Sequence, residues 1–484
     1  MLKQTKIVAT ISDKRCDVAF IDALYKAGMN VIRLNTAHLQ EEGLAKIVNN
    51  TRVVSERIGI LIDTKGPEIR TTITKESVNF KTGDKVGMVG DPNGETTREC
   101  IYVTYHNFVR DLQAGSKILI DDGEIVLKVI EKTDTCLFCE VLNDATLGSR
   151  KGVNVPGVRI NLPSITDKDR KNIEWAIENR LDFIAHSFVR TQQDILDVQS
   201  ILDAHNSPIK IIAKIENQEG VDNIDEILKS TYGIMIARGD LGIEVPEEKI
   251  PGIQRMLIRK CVEVKKPVIV ATQMLHTMIT NPHPTRAEVA DIANAIYYRA
   301  DALMLSGETA YGKYPLEAVQ MMTKVIREAE KTRLTSNDIR IPVSGDDLDI
   351  TSFLAKQAVK SSAKLDVRAI ITDSVTGRTA RYLAGFRGKA PVFAICYRQE
   401  TMRLLALSYG VWAVFQPWHK SRRGYFRDAL LQLLRQEMIT EKDKVAYLGG
   451  NFAEDGGTSF LEINEVNWIL NAGDDYLLQS FDGQ

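Results

Sequence analysis

Eight short apolar runs, most of them followed by a polar residue and a helical pattern, constrain the fold of this chain most strongly. Three runs precede residue 71 and five follow residue 163. The alternation of strand and helix patterns predicts parallel strands joined by helices. Eight such units predict an α/β fold with a TIM (β/α)8 barrel, whose active site lies at the carboxyl ends of the strands. The predicted strands span 7–10, 31–34, 58–62, 183–185, 211–215, 234–237, 268–271 and 302–305.

The barrel pattern is interrupted once and followed by a further region. From 71 to 162 short alternating segments are separated by turns, which predicts an all-β insertion of antiparallel hairpins forming a small barrel. Residues 332–345 are polar and are predicted to be a linker, after which strand and helix patterns alternate again. We therefore expect a barrel domain at 1–70 and 163–331, an inserted β domain at 71–162, and a C-terminal α/β domain at 346–484.

Composition excludes several classes of protein. The 484 residues are 44% hydrophobic and carry a formal net charge of −2, so charge gives no reason to expect nucleic acid or an anionic membrane as partner. No apolar run approaches the roughly 18 residues of a membrane span, and the N-terminus lacks a signal-peptide pattern. Six cysteines do not suggest a disulfide scaffold, and the Cys136/Cys139 pair has no second pair nearby for zinc. A cytoplasmic location is expected.

Polar residues cluster at the predicted carboxyl ends of the strands. Because parallel strands end at the same rim, Lys214, Glu216 and Asp240 are expected to lie side by side. Two carboxylates suit a hard divalent cation that bridges to phosphate, and a nearby lysine can neutralise charge on a phosphoryl group or an enolate. A single lysine or glutamate at a strand end is usually solvated. The prediction of a metal and phosphoryl site therefore depends on the clustering of all three residues. The whole predicted rim set is Asn35, Asp63, Ser187, Lys214, Glu216, Asp240, Thr272 and Glu308.

The C-terminal region contains a loop of hydroxyl residues and glycine before a predicted helix. Such a loop at a helix N-terminus can bind phosphate, although a simple helix cap at Thr376 or Thr379 would give the same pattern. The two interpretations are compatible. The candidate effector residues are Ser374, Thr376, Gly377 and Thr379.

Several motifs form a recognisable set in a fixed order along most of the chain. They lie at 5–8, 33–35, 63–70, 151–157, 214–217, 237–242, 271–275, 284–288 and 305–310. Taken together, these stretches resemble the pyruvate kinase family. The resemblance implies a TIM barrel, a β-barrel lid inserted after the third strand and a C-terminal regulatory domain. It also implies transfer of the phosphoryl group of phosphoenolpyruvate to ADP, giving pyruvate and ATP in glycolysis, by a homotetramer.

The resemblance assigns roles at the reacting centre. Glu216 and Asp240 would hold Mg²⁺ (or Mn²⁺), and Lys214 would stabilise the phosphoryl group. Arg33 would contact the phosphoryl oxygens as a fork of donors, and Thr272 would lie on the side from which a proton reaches the enolate carbon. Ser187 and the backbone amides of Gly239 and Asp240 are further implied substrate contacts.

The resemblance also implies a K⁺ ion and a nucleotide site. Asn35, Asp63 and the Thr64 carbonyl would bind K⁺. The lid would exclude water that competes with ADP. The implied nucleotide contacts are Asn35, His38, Arg70 and Lys151.

Three departures from the family pattern alter these expectations. A serine ligand to K⁺ is replaced by Ala37, which predicts weaker K⁺ binding, although Glu68 is the residue type of K⁺-dependent members. Ser12-Asp13 replaces a Gly-Pro pair. The loop at 449–457 carries acids and no arginine. We therefore expect a sugar monophosphate or no effector, rather than fructose 1,6-bisphosphate.

Two other functions are compatible with parts of the sequence. A Mg²⁺-dependent lyase or mutase of oxo acids would share the carboxylates but would not need Arg70, Lys151 or a lid. A metabolite-binding regulatory subunit that retained the fold would explain the altered K⁺ motif and first loop, although every group expected to do chemistry is present.

Overall fold

The computed structural model describes residues 2–332, 349–417, 422–450 and 457–471. Residues 333–345 of the predicted linker, the acidic part of the loop at 449–457 and most of the tail beyond 467 therefore lie outside the described residues. Residue 332, predicted to begin the linker, instead ends a helix.

The chain opens with three parallel strands and two helices. The Asp17 side chain accepts a hydrogen bond from Phe20 N at 3.0 Å and so caps the first helix, which ends at Gly28 with φ 121°. A glycine suits this φ because L side chains rarely adopt it. The elements are β1 (Lys6–Thr10), α1 (Val18–Ala27), β2 (Val31–Asn35), α2 (Glu41–Val54) and β3 (Gly59–Asp63).

The next segment is β-rich, as expected, but it is not all-β and antiparallel. It contains a short helix at Phe108–Asp111, and strands Lys85–Val89 and Cys100–Tyr102 pair in parallel. Its seven-stranded sheet has the order β4-β12-β8-β9-β10-β6-β7, and the two outer strands are joined by a bridge between Thr71 and Val103. Its own buried core includes Phe80, Phe108 and Leu127. The elements are β4 (Ile69–Arg70), β5 (Val78–Phe80), β6 (Lys85–Val89), β7 (Cys100–Tyr102), α3 (Phe108–Asp111), β8 (Lys117–Ile120), β9 (Ile125–Lys132), β10 (Leu137–Val141), β11 (Ala145–Leu147) and β12 (Gly152–Asn154).

The chain then returns to alternating helices and strands. Thr166 and Thr285 each begin a helix with a capping box. The threonine side chain accepts from the backbone N–H three residues on, and the acidic side chain of that residue accepts from the threonine N–H. The elements are α4 (Asp167–Glu178), β13 (Phe183–His186), α5 (Gln192–Ala204), β14 (Lys210–Ile215), α6 (Gln218–Asp222), α7 (Ile224–Ser230), β15 (Gly233–Ala237), α8 (Arg238–Glu244), α9 (Ile250–Glu263), β16 (Val268–Ala271), α10 (Arg286–Tyr297), β17 (Ala302–Leu305), α11 (Gly307–Ala310) and α12 (Pro315–Thr332).

Eight parallel strands close into a barrel in the order β1-β17-β16-β15-β14-β13-β3-β2, which confirms the predicted fold class. Alternate strand residues face the two sides of the sheet. Ile7 and Ala9 of β1 pack towards the surrounding helices, and Val8 packs in the barrel interior with Leu61 and Met235. Because both faces are buried, the strands are continuously apolar until their carboxyl ends.

One helix prediction is wrong in detail. The sequence pattern indicated a single helix with apolar residues from 221 to 228, whereas the structure has α6 and α7 separated at Asn223. The Asn217 side chain caps α6 by accepting from Gly220 N at 2.7 Å, and the Asn223 amide donates to Arg190 O at 3.0 Å. These side-chain bonds favour a break that apolar spacing does not reveal.

The C-terminal region forms a five-stranded sheet with the order β20-β19-β18-β21-β22, in which only the last pair is antiparallel among the described strands. No helix in the described part of the chain has the length and apolarity needed to cross a bilayer. The elements are α13 (Ile350–Leu365), β18 (Ala369–Ser374), α14 (Arg378–Gly385), β19 (Val392–Cys396), α15 (Gln399–Leu404), β20 (Val411–Phe415), α16 (Arg422–Arg435), β21 (Lys444–Gly450), β22 (Thr458–Glu465) and α17 (Val466–Asn471).

Buried ion pairs connect this region to the barrel. Arg387 binds both carboxylate oxygens of Asp301 at 2.9 and 2.6 Å, and Arg403 Nε donates to Asp182 Oδ1 at 2.6 Å. Both aspartates lie just before barrel strands, so these contacts are at the end of the barrel opposite the predicted active site.

Candidate active site

Lys214 is the centre of a buried ionic cluster at the carboxyl rim. Its Nζ atom lies 3.0 Å from Asp63 Oδ1 and 3.0 Å from Glu216 Oε1. It also donates to Ser187 Oγ at 2.6 Å. Strands β3, β13 and β14 are adjacent in the barrel, so their parallel pairing brings these four residues together. The structure therefore joins four of the predicted rim residues in one network.

The electrostatic environment fixes the charge on Lys214. Burial alone would lower the pKa of Lys214, but the carboxylates of Asp63, Glu216 and Asp240 outweigh it and raise the pKa above its usual value. The lysine is therefore charged at neutral pH. Burial raises the pKa of Glu216 to about 7; Lys214 opposes this rise and the neighbouring Asp240 adds to it. Glu216 and Asp240 are thus close enough for the charge of one to affect the other.

Arg33 is held at the same rim by Asp63. Its Nε atom donates to Asp63 Oδ2 at 2.6 Å, and one terminal nitrogen donates to Thr10 Oγ1 at 3.2 Å. Burial would raise the pKa of Asp63, but Arg33 and Lys214 outweigh it and lower the pKa below the usual value. Asp63 is therefore an ionised carboxylate that orients two cations towards the rim.

Gly239 and Asp240 lie in the first turn of α8, directly after β15. Gly239 N donates to Thr272 Oγ1 at 2.9 Å, and that hydroxyl donates to Ala271 O at 2.6 Å. The amide predicted for the substrate carboxylate is thus bonded to Thr272. Thr272 has φ 66°, an unusual conformation for a β-branched residue, so its backbone is strained at this site.

The residues predicted to bind K⁺ lie beside the ionic cluster. Ser187 Oγ donates to Thr64 O at 2.6 Å and lies 3.3 Å from Asp63 Oδ1, which brings these oxygens close together. The Asn35 side chain accepts from Ala37 N at 3.1 Å. The predicted donors are therefore neighbours, although Asp63 also binds Arg33 and Lys214.

A cleft of about 680 Å³ lies between the β-rich segment and the barrel rim. Arg70 and Lys151 line it from the β-rich side, and Asp240 lines it from the barrel. Lys151 Nζ lies 2.6 Å from Asp121, and Arg70 lies 2.7 Å from Glu68. Two predicted nucleotide contacts therefore share one cleft.

The other two predicted nucleotide contacts lie elsewhere. Among the described residues, neither Asn35 nor His38 lines the cleft, and His38 is exposed after β2. Glu308, also predicted at the rim, accepts from Leu275 N at 3.1 Å and Ser306 N at 2.7 Å. Glu308 thus stabilises the rim backbone at Leu275 and Ser306 by accepting these two hydrogen bonds.

Two further residues belong to the site and were not singled out from the sequence. Arg238 Nη2 donates to Thr272 O at 2.5 Å, and Nη1 lies 2.6 Å from Asp291. Asp122 lines the cleft, and partial desolvation, with the charges of Asp240 and Asp121, raises its pKa. The signal for Arg238 was its position before Gly239-Asp240, whereas Asp122 was interpreted only as part of a turn.

The candidate effector loop has a defined conformation. Gly377 has φ 81°, and its amide donates to Ser374 Oγ at 2.9 Å. Thr379 Oγ1 lies 2.7 Å from Thr458 Oγ1, and Thr401 Oγ1 donates to Val375 O at 2.7 Å. The Ser374 hydroxyl thus stabilises its own loop. The N-cap residue of α14 is Gly377, with no side-chain cap bond, so the predicted helix cap at Thr376 or Thr379 is wrong.

Comparison with known proteins gives one consistent family. Residues 2–319 match the family model described as pyruvate kinase, barrel domain, and residues 353–464 match pyruvate kinase, alpha/beta domain. A pyruvate kinase of Borreliella burgdorferi is 46% identical over 96% of this chain and 98% of its own length. A pyruvate kinase of Bacillus licheniformis is 41% identical over 98% of this chain and 82% of its own length.

A solved structure supports the same assignment. A pyruvate kinase crystal structure from Cryptosporidium parvum superposes with a TM-score of 0.90 at 35% identity, covering 96% of each chain. With domain models matched over most of the sequence, the chain belongs to the pyruvate kinase family and is an enzyme of the kinase, or phosphotransferase, class.

Proposed function

We propose that this enzyme transfers the phosphoryl group of phosphoenolpyruvate to ADP, yielding pyruvate and ATP, as a step of glycolysis in the cytoplasm. The observation that supports it best is the buried, charged Lys214 between Asp63 and Glu216 at the barrel rim. Phosphoryl transfer depends mainly on positioning and charge neutralisation, which such a fixed ammonium supplies.

The residues of the chain have complementary tasks in this proposal. Asp63 and Ser187 orient Lys214 towards the transferring phosphoryl group, and Arg33 offers its remaining donors to the phosphoryl oxygens. The Thr272 hydroxyl lies on the proposed route of the proton to the enolate carbon. For Gly239 to meet the substrate carboxylate, its amide would exchange the Thr272 hydroxyl for that carboxylate.

The donor set at the rim fits a divalent cation. Glu216 and Asp240 offer hard carboxylate oxygens. Burial raises the pKa of Glu216 and the charge of Asp240 adds to the rise, so the two carboxylates lie close to each other. We propose that these two residues hold Mg²⁺ or Mn²⁺, which would polarise and anchor substrate oxygens when bound. Asn35, Asp63 and the Thr64 carbonyl are proposed for K⁺, with binding weakened by Ala37.

The cleft is the proposed nucleotide site. Arg70 and Lys151 would exchange their carboxylate partners for the phosphates of ADP. Asn35 and His38 remain proposed nucleotide contacts from outside the cleft, since neither residue lines it. The β-rich segment, proposed at 71–162, would act as the lid. The barrel domain at 1–70 and 163–331 and the C-terminal domain at 346–484 complete the proposed domain plan.

The activity is tested by a coupled assay of pyruvate formation that varies phosphoenolpyruvate, ADP, Mg²⁺ and K⁺ separately. We expect turnover to require both substrates and Mg²⁺ and to rise with K⁺. Pyruvate formation without ADP would instead favour an enolate lyase. No turnover with all four components would favour a regulatory subunit and would contradict the proposal.

We also propose regulation and assembly. The effector loop at 374–379 is proposed to take a sugar monophosphate, because its glycine turn at a helix start suits a single phosphate. Activation measured over a panel of sugar phosphates tests this, and strong activation by fructose 1,6-bisphosphate would refute it. A homotetramer is proposed, to be tested by sedimentation equilibrium.

A further inference from the structure

Asp169 is a buried carboxylate close to the candidate active site, and neither the motifs nor the mechanism gives it a role. It is the third residue of α4 and is 0% exposed. It does not line the cleft, and it forms no ion pair within the described ranges of the chain. A buried carboxylate is unfavourable unless donors surround it, so its hydrogen bonds show which parts of the protein it holds.

The two oxygens of Asp169 have different partners. Oδ2 accepts from Thr166 N at 3.3 Å and from Thr166 Oγ1 at 2.6 Å, as part of the capping box of α4. Oδ1 accepts from Lys65 N at 2.9 Å and from Gly66 N at 3.4 Å, in the loop that follows β3. One oxygen therefore caps a helix, and the other holds a loop at the barrel rim.

The Thr64–Lys65 peptide unit connects Asp169 to the rim cluster. A peptide unit is planar and trans, so the N–H of Lys65 and the C=O of Thr64 point in opposite directions and can only turn together. Lys65 N is bonded to Asp169, and on the other side Thr64 O accepts from Ser187 Oγ at 2.6 Å. Fixing the N–H therefore also fixes the carbonyl that binds Ser187.

That carbonyl orients the Ser187 hydroxyl. A hydroxyl has one O–H to donate and two lone pairs to accept. Because the O–H is donated to Thr64 O, the lone pairs are left for Lys214 Nζ, which donates to Ser187 Oγ at 2.6 Å. Asp63 Oδ1, at 3.3 Å, is the more distant acceptor for the same hydroxyl. A hydrogen-bond relay thus connects the Asp169 carboxylate to the Lys214 ammonium.

The bond to Ser187 sets the direction of the third donor of Lys214. An ammonium has three N–H donors, and Nζ lies 3.0 Å from both Asp63 Oδ1 and Glu216 Oε1. Charge-assisted bonds to these carboxylates are stronger than a bond to a neutral hydroxyl. The N–H directed at Ser187 is therefore the one that a phosphoryl oxygen would most easily take over.

The loop held by Asp169 is packed directly against the end of β13. Gly66 has φ 72°, and a Cβ on it would lie 2.9 Å from Ser187 Cβ and 2.8 Å from the Phe188 ring. Phe188 N donates to Glu216 Oε2 at 2.6 Å. A shift of the loop would therefore displace two residues that contact the ionic cluster.

We propose that Asp169 is a positioning residue for Lys214, acting through the Thr64–Lys65 peptide unit and the Ser187 hydroxyl. It touches no reacting group itself. It holds the third ammonium donor in the direction of the transferring phosphoryl group before substrate arrives, which preorganises the charge. The inference rests on the proposed phosphoryl transfer, in which Lys214 is the charged donor.

Steady-state pyruvate formation tests the proposal by separating the two oxygens of Asp169. Asp169→Ala should lower kcat about tenfold and leave the KM for ADP within about twofold, because the cleft is not touched. Asp169→Asn keeps an oxygen that can accept from Lys65 N and should recover most of the lost kcat. Thr166→Val removes only a partner of Oδ2, so it should lower the midpoint of thermal unfolding and keep kcat within about twofold.

Asp194 provides a matched control on the next barrel helix. It is also a buried third residue with a capping box, in α5. Its oxygens accept from Arg190 N at 2.8 Å and Thr191 N at 3.0 Å, which are not part of the relay. Asp194→Ala should keep kcat within about twofold. A fall in kcat as large as that of Asp169→Ala would show that loss of a helix cap explains both, and would overturn the proposal.

A double-mutant cycle with Ser187→Ala tests the route. If Asp169 acts through the Ser187 hydroxyl, kcat of the double variant should equal that of the slower single variant within about twofold. Fold-changes that multiply would overturn this route. If Asp169→Ala does not fold, Asp169→Glu keeps an acid suited to the capping box but moves the carboxylate by one methylene. It should lower kcat about threefold or more, and wild-type kcat in that variant would overturn the proposal.

A crystal structure of Asp169→Ala, or of Asp169→Glu, gives a readout that does not depend on turnover. The Thr64 carbonyl should turn, and the distance from Ser187 Oγ to Lys214 Nζ should exceed about 3.5 Å. An unchanged contact would overturn the proposal even if kcat fell. Absence of pyruvate formation by the wild type would instead contradict the proposed phosphoryl transfer, and the variant structure would still decide whether the relay holds Lys214.

Discussion

At the scale of single residues, the candidate active site contains charged side chains that are held in place by their neighbours. Lys214 is fixed by Asp63, Glu216 and Ser187, so its ammonium reaches the rim already oriented and desolvated. Preorganised charge of this kind stabilises a transition state without reorganisation during the reaction. The same principle applies to Thr272, whose strained backbone is held by Arg238.

Thr272→Ala is expected to lower kcat by about 10²-fold, because the hydroxyl proposed on the proton route is removed. Thr272→Ser keeps the hydroxyl and should recover most of the activity. The measurement is steady-state pyruvate formation, together with the rate of proton exchange into pyruvate. Equal kcat in the alanine and serine variants would contradict the role of the hydroxyl.

Lys6 predicts a pH dependence of stability. Its folded pKa of about 8 lies below the value of 10.5 of the free side chain, so the unfolded chain binds more protons between these values. The free energy of unfolding therefore rises as the pH increases from about 8 to 10.5, by about 3 kcal/mol in total from Lys6. The Lys6→Met variant lacks this titrating group. The free energy of unfolding of the wild type should therefore rise relative to that of the variant between pH 7 and pH 10. Parallel urea-unfolding profiles of the two proteins would contradict the prediction.

At the scale of elements, strand order places the site and buried ion pairs connect the domains. The sequence predicted the eight barrel strands well, because apolar runs buried on both faces are unambiguous once their ends carry polar residues. It did not predict the break between α6 and α7, which depends on side-chain bonds of Asn217 and Asn223. Arg238 was also missed, since its contact with Asp291 on α10 is distant in sequence.

Arg387→Met is expected to destabilise the protein by about 3 kcal/mol, because it leaves the buried Asp301 carboxylate without its bidentate partner. Arg259→Met is the matched control. Its pair with Glu263 lies largely at the surface and should contribute less than about 1 kcal/mol. Denaturant unfolding measures both variants, and equal midpoints would show that the connection to the barrel is not stabilising.

At the scale of the whole molecule, two cavities lie at opposite ends of the barrel, each between the barrel and another domain. The sequence indicated the residues of the first, since Arg70 and Lys151 belong to recognisable motifs. The second was not predicted, because Lys3, Arg57, Arg327 and Trp412 come from four distant segments. Only the folded chain brings these residues together.

Lys151→Met is expected to raise the KM for ADP about tenfold while leaving the KM for phosphoenolpyruvate within about twofold. The reason is that Lys151 lies in the cleft of the β-rich segment and not in the rim cluster. Lys128→Met, on the same sheet but exposed outside the cleft, is the control. A change confined to the KM for phosphoenolpyruvate would place the nucleotide elsewhere.

The central claim is that Lys214 stabilises the transferring phosphoryl group at a rim of paired carboxylates, and the turnover of Lys214→Met tests it most directly. With saturating phosphoenolpyruvate, ADP, Mg²⁺ and K⁺, and with folding verified by thermal unfolding, kcat should fall by about 10²–10³ or more. Near-normal turnover in a folded Lys214→Met variant would contradict the account.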